Sequence, residues 1–515
     1  MSVADLFENE FHDIPSLVAL HAAERPDHIA VAYGERSVTY REFNDDCDRV
    51  AAALQRDGVA NRDVVAICAL SSIEYMTTFV GALRAGVAVS PLAPSSTPES
   101  LVVMLDDCGA KLFFLDAGVA QDMAGVIDQV KARLIALDES DAGASWTGWL
   151  APAGLRPEPV QIDRDQPFNI IYSSGTTGAP KGIVQPHMMR WQHVRRGLYK
   201  SDSVTLASTP LYSNTTLVSV FPTLAHGGTL VLMSKFDATK FLDQAQRWRA
   251  THSMLVPVQY KRLMEHPDFD RYDLSSYQMK TCTSAPFSAA LKADVLKRWP
   301  GGLIEYFGMT EGGGTCVLEC HAYPDKLGTV GRPAPGHDIR LIDEEGREAP
   351  QGEIGEIVGH SASLMLNYHN QPGKTAEAEW FSPEGKRFIR TGDVGRYDAD
   401  GFLTLMDRKK DMIISGGFNV YPSDLEAVVA QHPDVAEVAV VGVPSDRWGE
   451  TPVGFVALNP GAATSADDLR DWANGKLGKT QRLSDLQLVD ALPRSHIGKV
   501  LKRELRDSYR GQANA

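Results

Sequence analysis

Ile171-Tyr172-Ser173-Ser174-Gly175-Thr176-Thr177-Gly178-Ala179-Pro180-Lys181-Gly182 follows an apolar, strand-like segment, Phe168 to Tyr172. Its glycines let consecutive backbone N–H groups turn inward as an anion nest. Hydroxyls on both sides of Gly175 add neutral donors, and Lys181 adds a mobile point charge. That chemistry suits a nucleoside triphosphate. The stretch is not a Walker loop, because the Gly-Lys-Ser/Thr spacing is absent, and no G-x-G-x-x-G follows a strand. A flexible polar loop is the plain alternative. The order of residues and the Pro-Lys-Gly ending set this stretch apart from that.

Outward from this loop, the chain alternates helix and strand patterns. Pro15 to Glu24, Tyr40 to Gln55 and Ser72 to Leu83 read as helices, and Ile29 to Ala32, Ser37 to Tyr40, Val64 to Leu70, Lys111 to Leu115 and Ala132 to Leu137 as strands. This alternation predicts a layered α/β domain with a largely parallel sheet. Ser140 to Pro159, rich in Gly, Ala and Pro, reads as a loop. The pattern resumes with strands at Thr229 to Met233 and Ser253 to Val256 around a helix from Ala238 to Arg249. From Gly328 to Gly359 short strands with Gly, Pro and acidic turns predict a β-rich subdomain. Beyond the charged run Asp407 to Asp411 a separate α+β segment follows. It opens with a helix after Tyr421, Ser423 reading as its N-cap, continues with strands at Ala436 to Val443 and Pro452 to Leu458, and has a second helix at Leu469 to Leu477. The division falls at the charged run: a large domain over 1–407, a link at 408–411 and a small domain over 412–515.

Net charge is −15 over 515 residues. So acidic a chain is a poor partner for nucleic acid or an anionic membrane, which need a basic surface. Six scattered cysteines without framework spacing fit a reducing cytoplasm. Cys316, Cys320 and His321 have no second ligand pair at zinc-like spacing. No signal peptide, transmembrane run or C-terminal lipidation or peroxisomal signal is read in the sequence.

Further motifs occur in order: Tyr306-Phe307-Gly308-Met309-Thr310-Glu311, Thr391-Gly392-Asp393, Asp407-Arg408-Lys409-Lys410-Asp411, Ser415-Gly416-Gly417-Phe418-Asn419 and Gly498-Lys499. With the glycine-rich loop, they make the chain resemble, over nearly its whole length, the adenylate-forming superfamily of acyl-CoA synthetases, adenylation domains and luciferases. The resemblance implies two half-reactions: a carboxylate attacks the α-phosphorus of ATP, and a thiol then displaces AMP. It implies ATP, Mg2+ and coenzyme A as cofactors and a small carboxylic acid as substrate, and leaves a homodimer open.

Residue by residue, the resemblance implies that Ser173, Ser174, Gly175, Thr176, Thr177, Gly178 and Lys181 hold phosphates, with Thr176 and Glu311 as the magnesium contacts. Thr310 would meet the α-phosphate. Tyr306 would lie against adenine, with Ser284, Ala285 and Pro286 on its other side, and Phe307, Gly308 and Met309 would also bind ATP or AMP. Asp393 and Arg408 would hold the ribose. Lys499 would enter for adenylation, and Lys410 would be the hinge of a rotation that withdraws it. Gly416, Gly417 and Phe418 would then line the thiol tunnel, with Trp448 and Arg482 as weaker CoA contacts.

Two positions depart from the family pattern: Ser213 stands where histidine is usual, and Ser284 where glycine is usual. The acyl pocket is expected from Tyr212, Ser213, Asn214, Val218, Thr283, Phe307, Gly312, Gly313 and Gly314, the glycines leaving room for a bulky or long acid. No charged side chain stands out there, so the reading is a neutral fatty or aromatic acid. A stand-alone enzyme loading an acyl group onto a separate carrier protein is the alternative; a non-catalytic nucleotide-binding relative is disfavoured by Lys499, Glu311 and the complete loop.

Overall fold

The computed structural model describes residues 6–173, 180–408, 411–415, 418–445, 448–477, 482–494 and 500–509. The chain forms two compact units. The first is Met1–Gly328 with Pro333–Asp338 and Gly359–Ile389; the second is Thr329–Arg332, Ile339–Val358 and Arg390–Ala515. The β-rich segment predicted from Gly328 thus contributes mostly to the second unit.

The first unit is α/β, built on two sheets. One runs in the order Cys316–Glu319, Gly302–Phe307, Met279–Cys282, His252–Leu255, Val204–Ala207, Thr229–Leu232, Ile29–Tyr33, Arg36–Thr39. Gly302–Phe307 with Cys316–Glu319 and Ile29–Tyr33 with Arg36–Thr39 are antiparallel pairs, and the pairs between them are parallel. The other runs Asn367–Tyr368, Lys181–Pro186, Pro167–Ser173, Ala88–Pro91, Val64–Cys68, Leu112–Leu115, Arg133–Ala136, Ala144–Ser145. Parallel strands need crossovers, and the alternating helices supply them. The helix Tyr40–Arg56 shows why the local sequence folds so: Thr39 accepts from the Glu42 N–H while Glu42 accepts from the Thr39 N–H, a capping box. A large apolar cluster joins this helix to the helices Ile73–Arg84 and Asn214–Ala225 and to strands of both sheets. The segment expected to be a loop from Ser140 carries a strand, Ala144–Ser145, and a helical turn, Trp146–Trp149. Both tryptophans are buried, and Trp146 Nε1 donates to Thr78 Oγ1 at 2.9 Å. Two large apolar rings outweighed the turn-forming composition around them.

The second unit is α+β. Its terminal sheet runs Phe418–Val420, Ile413–Ser415, Gly449–Leu458, Val435–Ser445, with Asp485–Leu488 added parallel to Gly449–Leu458. Helices Pro422–Val429 and Ala466–Asn474 pack their apolar faces on it through Leu425, Val429, Leu469 and Ala473. Ser423 is not the N-cap of its helix. That position is Tyr421, and the Ser423 hydroxyl donates to the Met406 carbonyl instead. Pro422 at the first helical turn needs no N–H partner, which removes part of the need for a cap.

Candidate active site

Strand Lys181–Pro186 leaves the glycine-rich loop, and its first side chain is placed by register: Lys181 pairs with Ser173 across the antiparallel ladder. Lys181 Nζ stands 5.2 Å over the ring of Tyr368. The Tyr368 hydroxyl donates to Glu311 Oε1 at 2.8 Å, and the Glu311 carbonyl accepts the Met365 N–H at 2.8 Å. One cation, one phenol and one carboxylate are therefore gathered at one place in the first unit. A charge-assisted bond of this kind is among the stronger ones. Burial pushes the Tyr368 phenol upward, with the neighbouring Glu311 carboxylate adding to the shift, so the phenol stays a donor. Tyr368 was not read as a site residue. Its only local sign is an aromatic in a polar run, Tyr368-His369-Asn370-Gln371.

Tyr306 is the penultimate residue of strand Gly302–Phe307 and is half-buried. Arg196 lies 5.1 Å over its ring. Thr283 Oγ1 donates to the Tyr306 carbonyl at 2.8 Å, which ties the residue before Ser284 to the end of this strand. Ser284, the departure from glycine, holds φ +83°, where non-glycine residues are strained. Its hydroxyl is 2.6 Å from Thr215 Oγ1, which offsets part of that strain.

On helix Asn214–Ala225, Asn214 and Val218 are half-buried one turn apart, while Thr215, Thr216, Leu217 and Ser219 are buried. With Tyr212 and Ser213, also half-buried, they leave one partly open face, as a pocket wall requires. Burial pushes the Tyr212 phenol up to about 12, so it is neutral at ordinary pH.

The glycines after Glu311 need another account. A Cβ on Gly312 would fall 1.7 Å from the Ser363 carbonyl oxygen, and φ there is +77°. A Cβ on Gly313 would meet Ile389 Cβ at 2.9 Å. A Cβ on Gly359 would fall 1.4 Å from the Gly313 carbonyl oxygen. The space beside Gly312 and Gly313 is thus filled by neighbouring chain and is not acyl room; these glycines let two backbones touch. Gly314 holds φ +93°, and the Thr315 N–H after it donates to His337 Nδ1 at 2.9 Å.

In the second unit, Asp393 lies opposite Arg408 in the antiparallel ladder, just after Gly392 at φ +71°. Its N–H donates to Thr391 Oγ1 at 3.0 Å. Trp448 is 47% exposed and Arg482 is exposed. Ser174, Gly175, Thr176, Thr177, Gly178, Lys410, Gly416, Gly417 and Lys499 lie outside the described residues, as do the side chains of Ser173, Arg408 and Phe418. All six cysteines are buried. Among the described residues no three His, Cys, Asp or Glu side chains gather as for a metal ion, and no helix is long and apolar enough to cross a membrane.

The AMP-binding enzyme family matches residues 18–369, and the AMP-binding enzyme C-terminal domain matches residues 424–499. The chain is 32% identical over 501 residues to an indoleacetate–CoA ligase of Aromatoleum aromaticum, covering 94% of this chain and 96% of that one. It is 30% identical over 525 residues to a fatty acid–[acyl-carrier-protein] ligase of Streptomyces coeruleorubidus, covering 99% and 98%. The crystal structure of ATP-bound MatB from Rhodopseudomonas palustris superposes with TM-score 0.87 at 28% identity, covering 97% of this chain and 99% of that one. Family-model matches over residues 18–369 and 424–499, with relatives at 30–32% identity over nearly the whole chain, place it in the AMP-binding enzyme family.

Proposed function

We propose that the chain is an AMP-forming acid–thiol ligase that converts a carboxylic acid to its acyl-adenylate and then to its coenzyme A thioester. The observation that carries this reading is the Glu311 carboxylate held by the Tyr368 hydroxyl beside Lys181. In the first half-reaction a carboxylate oxygen bonds to the α-phosphorus and pyrophosphate leaves. In the second, the thiol sulfur bonds to the acyl carbon and AMP leaves. The difficulty of the first step is electrostatic. At about 4 Å, like charges repel by several kcal/mol at intermediate dielectric. Preorganised cations and N–H dipoles must offset this where charge develops.

Glu311 and Thr176 would hold magnesium. A magnesium ion that keeps several waters needs no all-protein cage, so one carboxylate and one hydroxyl are donors enough. Bound there, the ion would neutralise phosphate charge. Lys181 and the glycine-rich loop would orient the phosphates, Thr310 the α-phosphate, Tyr306 with Ser284 to Pro286 the adenine, and Asp393 with Arg408 the ribose. Lys499 would touch the reacting oxygens during adenylation. Rotation at Lys410 within 408–411 would then bring Gly416, Gly417 and Phe418 to the site, with Trp448 and Arg482 meeting CoA.

The half-buried Tyr212, Ser213, Asn214 and Val218 and the Thr283 turn support a neutral acid of fatty or aromatic type. The similarity to an indoleacetate–CoA ligase supports the aromatic class. The similarity to a fatty acid–[acyl-carrier-protein] ligase supports a second reading, transfer to a carrier protein's phosphopantetheine thiol. Either reaction fits a cytoplasmic enzyme acting on a small carboxylic acid. The test is pyrophosphate release over a panel of fatty, aryl and dicarboxylic acids, each with CoA, with a phosphopantetheinylated carrier, or with neither. Acyl-CoA formation supports the first reading; acyl transfer to the carrier alone supports the second; no acid-dependent pyrophosphate release refutes both.

A further inference from the structure

Three polar side chains of the first unit have no part in the scheme above. Asn169, Gln185 and Arg190 are all fully buried. Asn169 and Gln185 are partners in the ladder between Pro167–Ser173 and Lys181–Pro186, and Arg190 comes from the next helix, His187–Val194. Arg190 Nη2 donates to Asn169 Oδ1 at 2.9 Å and to Gln185 Oε1. Asn169 Nδ2 donates to that same Gln185 oxygen at 2.9 Å.

A guanidinium carries donors only, so it fixes the sense of both amides. Their oxygens must face Arg190, which turns the Gln185 NH2 away. That NH2 donates to the Thr310 carbonyl at 2.6 Å and lies 3.4 Å from Asn214 Oδ1. The arrangement is costly. Arg190 Nε and Nη1 have no hydrogen-bond partner among the described residues, and burying unpartnered donors on a cation is unfavourable. Apolar side chains would fill these positions at lower cost. What they could not supply is an N–H of fixed direction under Thr310.

We propose that Gln185, oriented by Arg190, is a positioning residue for adenylation; this rests on the acyl-adenylate reading of the site. Thr310 and Glu311 are consecutive. Glu311 is held at its carbonyl by Met365 N–H and at its carboxylate by Tyr368. Gln185 holds the peptide before it. With the Gln185 bond lost, Thr310 can shift relative to Glu311, and a misplacement of about 1 Å costs on the order of 100-fold in rate.

The test is a double-mutant cycle of Gln185→Met and Arg190→Met. It is read in pyrophosphate release, in thioester formation from supplied acyl-adenylate, in Mg·ATP affinity by calorimetry, and in thermal unfolding. Each single variant should lower adenylation by about 10- to 100-fold and weaken Mg·ATP binding, with far less change in thioester formation. The double variant should be no worse than the more severe single one, because Arg190 acts through Gln185. Should Arg190→Met fail to fold, Gln185→Glu decides. Its carboxylate still accepts from Arg190 and Asn169 but has no N–H for Thr310, so adenylation should fall while the melting temperature holds. Multiplied losses in the double variant, equal losses in both half-reactions, or normal adenylation in Gln185→Glu would overturn the positioning role. If the wild-type chain forms no acyl-adenylate with any acid, the functional reading falls by itself. The same cycle in Mg·ATP affinity then still shows whether Arg190 acts through Gln185: additive effects there overturn the proposal.

Discussion

The two units differ in how far they expose the expected functional side chains at Glu311, Thr310 and Tyr306 on one side and at Trp448 and Arg482 on the other. In the first, Glu311 is bound at its carboxylate and its carbonyl, Thr310 at its carbonyl, and Tyr306 carries Arg196 over its ring and Thr283 on its carbonyl. In the second, Trp448 is 47% exposed and Arg482 is exposed. The difference follows from what each group must do. A group that stabilises charge in a transition state works only if fixed beforehand, by partners buried with it. A group that meets a soluble thiol must be reachable. On the proposed roles, the buried partners in the first unit fix groups for adenylation, and the exposed Trp448 and Arg482 are reachable by a thiol.

The largest effect that would break this contrast is at Lys499, whose role is read from sequence. Lys499→Ala should lower adenylation by about 10²–10³, the cost of losing one preorganised donor. Thioester formation from supplied acyl-adenylate should fall much less. Equal losses in single-turnover assays of the two halves would remove the lysine from the first step.

Gly312→Ala probes the rigidity of the first unit. The new methyl would meet the Ser363 carbonyl from a left-handed backbone. Overpacking and φ strain together should destabilise the chain by about 2–4 kcal/mol. Denaturant unfolding checks this; a stable variant with a changed acid profile would restore Gly312 to the acyl pocket.

Tyr368→Phe tests the clamp on Glu311. Losing a charge-assisted bond worth about 1.5–3 kcal/mol should lower adenylation by at least about tenfold and raise the magnesium needed for half-maximal rate. Unchanged magnesium dependence would mean that the phenol does not hold the metal's carboxylate.

Acid sharpens the contrast most gently. His21, His28, His187, His193, His226, His252 and His337, all in the first unit, have pKa values held below the ordinary 6.5 chiefly by burial, His187 at about 3 and His252 and His337 at about 4. Such a histidine binds fewer protons folded than unfolded, so stability is lost as pH falls from 6.5 towards 4. At pH 6 a buried one such as His187 or His252 costs under about 1 kcal/mol. Hydrogen exchange, corrected for intrinsic rates, should show strands such as His252–Leu255 losing protection between pH 7 and 5 before Val435–Ser445 does. Simultaneous loss would contradict the assignment.

The sequence shows much of this arrangement because much of it is local. Alternating apolar periods marked the strands and helices, and the ordered motifs marked Lys181, Tyr306, Glu311 and Asp393. What escaped is long-range. Gln185 and Thr310 are 125 residues apart, and Tyr368 and Glu311 are 57 apart. A polar residue inside an apolar strand gives no sign of the carbonyl that it serves. The glycines at 312 and 313 misled for the same reason: whether a missing side chain leaves room or lets backbones touch depends on Ser363, Ile389 and Gly359, which the local sequence does not place. Ser284 was visible as a departure from glycine, but its hydroxyl partner, Thr215, was not.

The central claim, acyl transfer through an adenylate, is tested most directly by mass spectrometry of one reaction. Purified protein with Mg·ATP and each acid of the panel should accumulate enzyme-bound acyl-adenylate without thiol. With CoA it should yield acyl-CoA, AMP and pyrophosphate in equal amounts. Acid-dependent release of ADP and phosphate instead, or AMP and pyrophosphate formed at the same rate without any acid, would contradict it.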